Sequence, residues 1–338
     1  MLVSNATEAE VTEGIARLQL DRTPLHVGTI TDDATTVLGG ARYIAVVGNY
    51  AYVTGLDDNG VEILDISDPT APTHMGSITD NLTRELDGAF DIKVVGNYAY
   101  VTGLGDNGVE ILDISNPAAP AHIGAIDSTA PGTMLTGPHG IDVVGIYAYV
   151  ASINYGIEIL DISDPAMPAH VAAISITGGA IDVVVRDDYA YVTSFNGNGV
   201  EILDISIPTS PTSVGRINDD GTTALGNARG IAVVGDYAYI TSVMENGVEI
   251  LNISNPASPT HVAAIFDDGT TALNSANGIA IVGDYAYVTS VGDNGVEILD
   301  ISGRYSNDNP YVTVSTPQAF TSSIDSFTET LAVDNEGT

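Results

Sequence analysis

The chain has 338 residues, 44 acidic against 9 basic, a formal charge of −35 and a 44% share of hydrophobic residues. That length admits one large domain or two ordinary ones, and the apolar content excludes wholesale disorder. Cysteine and tryptophan are absent and Lys93 is the sole lysine, which excludes disulfides, zinc–thiolate sites, cysteine nucleophiles and phosphate-loop ATPases, while the acidity argues against nucleic acid or an anionic membrane as partner.

Residues 1–13 read as an N-terminal extension. Up to Leu20 there is no basic start and no apolar run of seven or more residues, so a secretory signal is not expected there. No stretch approaches the ~18 apolar residues of a membrane span, which argues against direct insertion. Acceptor triplets for N-glycosylation begin at Asn5, Asn81 and Asn252, a pattern common by chance.

From residue 14 to 302 the chain is one repeat. Tyr-Ala-Tyr begins at Tyr50, Tyr98, Tyr147, Tyr189, Tyr237 and Tyr285, with spacings of 48, 49, 42, 48 and 48 residues. A Gly-Val/Ile-Glu-Ile-Leu-Asp/Asn-Ile-Ser segment follows each, from Gly60, Gly108, Gly156, Gly199, Gly247 and Gly295. Five of these lead into Pro-x-x-Pro and a short apolar run such as His261–Ile265.

One unit predicts four strands. Ile231–Val234 comes first. A Gly-Asp turn leads to Tyr237–Thr241, whose tyrosines, two apart, share one face. Asn246-Gly247 is a strong hairpin signal, because both residues tolerate positive φ. The third strand, Val248–Ile253, ends at Asn255-Pro256, since proline has no amide to continue the ladder. The His261 segment is the fourth. No segment of useful length has helical periodicity.

Four-stranded repeats of ~40–50 residues are the signature of propeller blades. A lone blade leaves two apolar faces wet, and a ring buries both. The expected fold is therefore all-β, a six-bladed β-propeller of four-stranded antiparallel blades. The sixth unit lacks its Pro-x-x-Pro-x-His segment. Pro24-Leu-His-Val-Gly-Thr-Ile30 matches Pro72-Thr-His-Met-Gly-Ser-Ile78, so the N-terminal strand is expected to complete the last blade and close the ring. A rival closure uses Pro310–Ser315, and Gly14–Leu20, which looks like a worn third strand, keeps it open. Residues 303–338, rich in Ser and Thr, read as a tail, a spacer or a strand donor.

The segment Val61–Pro69 (Val-Glu-Ile-Leu-Asp-Ile-Ser-Asp-Pro) and its five relatives resemble the LVIVD-repeat family, known from bacterial and archaeal surface proteins. The resemblance covers roughly residues 14–302. It implies a propeller acting as a surface or secreted binding module, and it brings no catalytic residues. Glu62 and its equivalents depart from the family by replacing an apolar residue.

Several constellations invite chemistry. His26, His74, His122, His170 and His261 share one repeat position, so a ring holds them too far apart to share an ion, and a structural role at the blade edge is expected. His139 stands apart. Asp32-Asp33, Asp219-Asp220 and Asp267-Asp268 each precede Thr-Thr. Such loops suit calcium, a hard cation taking six to eight oxygens, or cap turns through their own amides. Asp57-Asp58-Asn59 reads as hairpin chemistry. Gly103–Gly108 spells G-x-G-x-x-G but joins two strands, so it is no dinucleotide site.

Places where repeats disagree are more informative than places where they agree. Aligned on Ile44, Ile92, Ile141, Ile181, Ile231 and Ile279, the residues two earlier are Arg42, Phe90, His139, Gly179, Arg229 and Asn277. One residue later come Ala45, Lys93, Asp142, Asp182, Ala232 and Ala280. First strands line the axis of a propeller, so these positions are expected to ring one mouth of the channel. There the cations hold an acidic sugar or carboxylate, or Lys93 pairs with Asp142 or Asp182 and seals the channel.

The expected function is a non-enzymatic extracellular or cell-surface propeller for adhesion, binding or assembly, with self-association by terminal-strand exchange as a variant. Its partners would be a protein, a second copy or an acidic glycan. The alternative is a polysaccharide hydrolase or lyase, with His139, Asp142 and Asp182 as acid–base groups and Arg42 and Arg229 holding the substrate.

Overall fold

The computed structural model describes residues 28–81 and 83–301. The first sheet is a meander of Ala41–Val47, Tyr50–Gly55, Gly60–Asp65 and Thr73–Thr79, paired antiparallel in chain order. Four more four-stranded sheets repeat it, and a sixth has three described strands, Ala276–Val282, Tyr285–Ser290 and Gly295–Asp300. The chain is a six-bladed β-propeller, and no helix occurs among the described residues.

The turns explain the regularity. Asn59, Asn107, Asn198, Asn246 and Asn294, each before the glycine of the second hairpin, have φ between 48° and 58°. Asparagine tolerates that left-handed region better than other side chains. The same asparagines clamp blades together. Asn59 Oδ1 accepts from the Gly88 amide at 2.9 Å, Asn107 from Gly137 at 2.8 Å, and Asn246 from Ser275 at 2.8 Å.

The core lies between blades. Tyr52, Val61 and Ile63 of the first blade pack with Ile92, Val101 and Leu112 of the second, all buried, and the pattern recurs between the following blades. Each second strand has its two tyrosines on one face, the first half-buried and the second buried in five blades.

The glutamate that departs from the family pattern has a place in this frame. Glu62, Glu110, Glu158 and Glu249 are fully buried. His74 pairs with Glu62, and His122, His170 and His261 meet Glu110, Glu158 and Glu249 at 2.5 Å. The other carboxylate oxygen accepts a backbone amide from the loop entering the same blade, Val37 to Glu62 at 2.9 Å and Ala224 to Glu249 at 2.8 Å. A buried carboxylate needs such partners. These histidines are thus structural; His26 lies outside the described residues.

Of the expected closing strand, residues 28–30 are described. A Cβ on Gly28 would lie 2.3 Å from the Pro69 carbonyl, as one on Gly76 would lie 2.6 Å from that of Pro117 and one on Gly124 2.3 Å from that of Pro165. Gly28 therefore stands to the first blade as outer-strand glycines stand to the blade that follows them. Ile30 packs with Ala51, Val53 and Leu64. The seam between the sixth and first sheets differs from the others. Ile44 is 62% and Val296 57% exposed, whereas their equivalents Ile92 and Val61 are 5% and 0%. Pro310–Ser315, Gly14–Leu20 and residues 303–338 lie outside the described residues.

Candidate functional site

Inner strands Ala41–Val47, Ala89–Val95, Pro138–Val144, Asp182–Arg186, Ala228–Val234 and Ala276–Val282 follow one another around the axis. In five of them a β-bulge interrupts the pairing at the entry, between Ala41 and Ile44 in the first blade. A bulge sets two residues against one and re-aims a side chain. Arg42, Phe90, His139, Arg229 and Asn277 sit in these bulges, at the entry end of the inner strands, here termed the rim. Ladder pairing continues beyond the bulge, which is why the fifth inner strand begins at Ala228, not at the apolar run from Ile231.

The fourth blade corrects the alignment. Its inner strand is five residues long without a bulge, and Val183 pairs with Val192 as Ile92 pairs with Val101. Val183, rather than Ile181, is the equivalent residue, so the rim position is Ile181 rather than Gly179. Asp182 then shares a level with Tyr43 and Asp91, while Asp142 shares one with Lys93. Asp91 escaped the sequence reading.

Backbone at the rim is fixed by a repeated threonine. Thr102 Oγ1 accepts from the Asp91 amide at 3.0 Å and donates to the His139 carbonyl at 2.7 Å. Thr54 does the same for the Tyr43 amide and the Phe90 carbonyl, at 3.0 and 2.7 Å, and Thr193 and Thr241 reach the carbonyls of Arg229 and Asn277. The third blade has Ala151 instead, and there the Gly140 amide donates directly to the Ile181 carbonyl at 2.9 Å.

Below the rim the carboxylates join blades. Asp91 accepts from the amides of Ile92 at 2.7 Å and Ile141 at 2.9 Å. Asp142 accepts from Val143 and Val185, at 2.9 and 2.8 Å, and Lys93 Nζ lies 2.6 Å from its Oδ1. Asp182 accepts from Val183 and Ile231, at 2.8 and 3.1 Å. The channel holds a cavity of about 410 Å³ lined by Tyr43, Lys93 and these three aspartates. Burial pushes Asp91 up to about 6, and burial with the nearby Asp91 charge pushes Asp182 up to about 7.

The rim itself is aromatic and cationic. The Arg42 guanidinium lies 4.8 Å from the Phe90 ring centre and that of Arg229 5.0 Å from Phe195. Phe90 packs against His139 at 4.4 Å and Tyr43 at 5.4 Å. His139 Nδ1 lies 3.0 Å from the Gly137 carbonyl, which only accepts, so Nδ1 carries the proton. Burial and the charges of Arg229 and Arg42 lower its pKa, leaving the ring neutral. Burial raises the Tyr43 phenol further above its ordinary value, and the Asp182 and Asp91 charges add to this. Neither rim arginine has a carboxylate within 4 Å or a protein hydrogen-bond acceptor among the described residues.

The acidic loops form turns. Asp33, Asp220 and Asp268 each accept from the amide and hydroxyl of the threonine two residues on. Thr36 bonds Asp32, and Gly221 and Gly269 donate to Asp219 and Asp267. Among the described residues no three acidic or histidine groups cluster as a metal site.

Six stretches match the LVIVD repeat: residues 38–80, 88–128, 139–174, 177–219, 225–265 and 274–307. No curated protein matches the chain in sequence. Similar solved structures include a catalytically inactive virginiamycin B lyase from Staphylococcus aureus, 14% identical over 80% of this chain and 86% of that one, TM-score 0.57. A candidate 6-phosphogluconolactonase from Bacteroides fragilis is 15% identical over 76% and 79%, TM-score 0.60. Hydrazine synthase from Kuenenia stuttgartiensis is 18% identical over 77% and 83%, TM-score 0.56. At such identities the likeness is one of fold.

Proposed function

The chain belongs to the LVIVD-repeat family, and on that premise we propose a non-enzymatic binding propeller that works as an adhesion or assembly scaffold at the cell surface or outside the cell. The observation that carries this reading is the employment of the channel carboxylates. Asp91, Asp142 and Asp182 each accept two backbone amides, one of them from the following blade. A general acid or base must reach its substrate's proton, whereas these oxygens hold the ring together. Among the described residues, the basic side chains with no carboxylate or hydrogen-bond acceptor are the two rim arginines, which suit holding a ligand rather than converting one.

The acidity fits a saline setting, where salt screens self-repulsion. The test is retention of the pure protein on immobilised acidic and neutral polysaccharides and on whole cells, with product analysis in parallel. Retention without product supports the scaffold. Depolymerisation abolished by Asp142→Asn or Asp182→Asn, in variants that keep the fold, would overturn it in favour of a hydrolase or lyase at the mouth.

A further inference from the structure

We infer that the rim is a recognition site for one carboxylate group on a neutral, hydroxyl-rich body, the chemistry of a single uronic-acid residue, a reading that rests on the mouth being a binding face. The described part of the chain has six basic residues. Four have protein partners: Lys93 with Asp142, Arg186 with Asp187, Arg216 with Glu201, and Arg84 with the Thr79 carbonyl. The other two, Arg42 and Arg229, come from blades one and five and stand at the same mouth, near enough that the charge of Arg42 makes that of Arg229 costlier. In a chain with 44 acidic residues, two neighbouring cations left unpaired require an explanation.

The Arg229 Nε is buried and has no hydrogen-bond partner. A buried charged donor without an acceptor is costly, and an oxygen from a ligand removes that cost. Each guanidinium rests on a phenylalanine ring, which holds its plane and leaves donor edges for a planar anion. Bidentate contact with carboxylate is what that fork fits. The threonine bonds fix the backbone of Arg229 and of the rim residues Phe90, His139 and Asn277, so little ordering of that part of the rim is needed on binding.

The surroundings choose among anions. A long polyanion would lie along a surface of net charge −35 and be repelled. Below the rim, the Asp91 and Asp182 carboxyls face the cavity, which disfavours a second negative charge on the ligand. A body of hydroxyls meets the Asn277 amide and neutral His139 instead. One carboxylate on a polar, uncharged ring satisfies all of these conditions.

The probe is sodium glucuronate, titrated calorimetrically into the whole protein, with glucose, acetate and inorganic phosphate as comparisons and thermal melts to verify folding. Saturable glucuronate binding is expected, at least tenfold tighter than any comparison compound. Arg42→Gln and Arg229→Gln should each weaken it tenfold or more, and Arg229→Lys, which keeps charge but not the fork, should not restore it. No glucuronate binding, binding unchanged in both folded variants, or acetate or phosphate binding as tightly would overturn the inference. Binding accompanied by cleavage of a glucuronate-ended oligosaccharide would uphold the site and overturn the non-enzymatic reading, so the two fail separately.

Discussion

Asp182→Asn tests whether the channel carboxylates act as blade fasteners held partly protonated. In the folded chain Asp182 titrates near 7, against an ordinary 3.8. A carboxyl raised in this way favours the native state most below its unfolded pKa, and that contribution is lost as pH rises through the folded value. Between pH 5 and pH 8 the full shift corresponds to about 2.7 kcal/mol. Asp182 lines the open channel cavity and is only half-buried, and solvent screening brings the figure to about 1.4 kcal/mol. For a chain of this size that is about 2 °C in melting temperature. The amide that replaces the carboxyl keeps one acceptor oxygen but loses one of the two amide bonds, a pH-independent offset of about 1 kcal/mol. Calorimetric melts from pH 8 to pH 5 at constant ionic strength should show the native chain gaining stability on acidification. The variant should gain about 2 °C less, with most of the difference between pH 7 and 5. Turn aspartates such as Asp33, Asp68, Asp220 and Asp268 are lowered by their threonine hydroxyls, so their contribution is lost only below pH 4 and does not confuse the window. Parallel curves, or a melting temperature falling from pH 8 to 5, would refute the reasoning.

Further predictions follow the same bonds. Thr102→Val leaves the buried Asp91 amide and His139 carbonyl without their bridge and should cost about 2 kcal/mol in denaturant unfolding; a cost under about 0.5 kcal/mol would mean the bridge is dispensable. His122→Ala should destabilise by about 2–3 kcal/mol through the stranded Glu110 carboxylate, and Glu110→Leu with His122→Ala should recover much of it; an additive double variant would contradict the pairing. The turn assignment predicts equal melting temperatures in EDTA and in millimolar calcium at constant ionic strength, whereas a calcium-dependent rise of several degrees would restore an ion site at Asp219-Asp220 and its kin. Removing residues 1–30 should uncover Ala51, Val53 and Leu64 and yield an unstable or self-associating protein on size exclusion; a folded monomer of unchanged stability would rule out both closure and exchange by that segment.

The blade count, strand order and hairpin turns were legible because they rest on local rules repeated six times. The rim was legible because its residues differ where everything around them agrees. The fourth blade misled because alignment followed the isoleucine at 181. Counting six residues back from Tyr-Ala-Tyr reaches Ile44, Ile92, Ile141, Ile231 and Ile279, but Val183 before Tyr189. That distance is set by the hairpin and is the safer ruler, since the bulge upstream can be lost. Asp91 stayed hidden for a related reason: it occupies the second bulge position, where Gly140, Gly230 and Gly278 carry no side chain and Tyr43 no carboxylate. The partner of Glu62 was out of reach by periodicity, because a bulge between Ile63 and Leu64 shifts the register of Thr73–Thr79.

Ring and rim place opposite demands on sequence, and the bonding pattern separates them. Adjacent blades are tied through groups that recur: the hairpin asparagine, the strand-two threonine and the apolar seam. The threonine grips the rim residue by its carbonyl, which is the same in arginine, phenylalanine, histidine and asparagine. A rim side chain can therefore change without loosening the clamp beneath it, as the four carbonyls held by Thr54, Thr102, Thr193 and Thr241 show. Where the threonine is missing, at Ala151, the bulge is missing from the next blade too, and the rim position is a buried isoleucine. Loss of clamp and loss of a polar rim residue go together. Specificity in this architecture is thus written in the bulges, and Arg42 and Arg229 are the part of that text carrying charge.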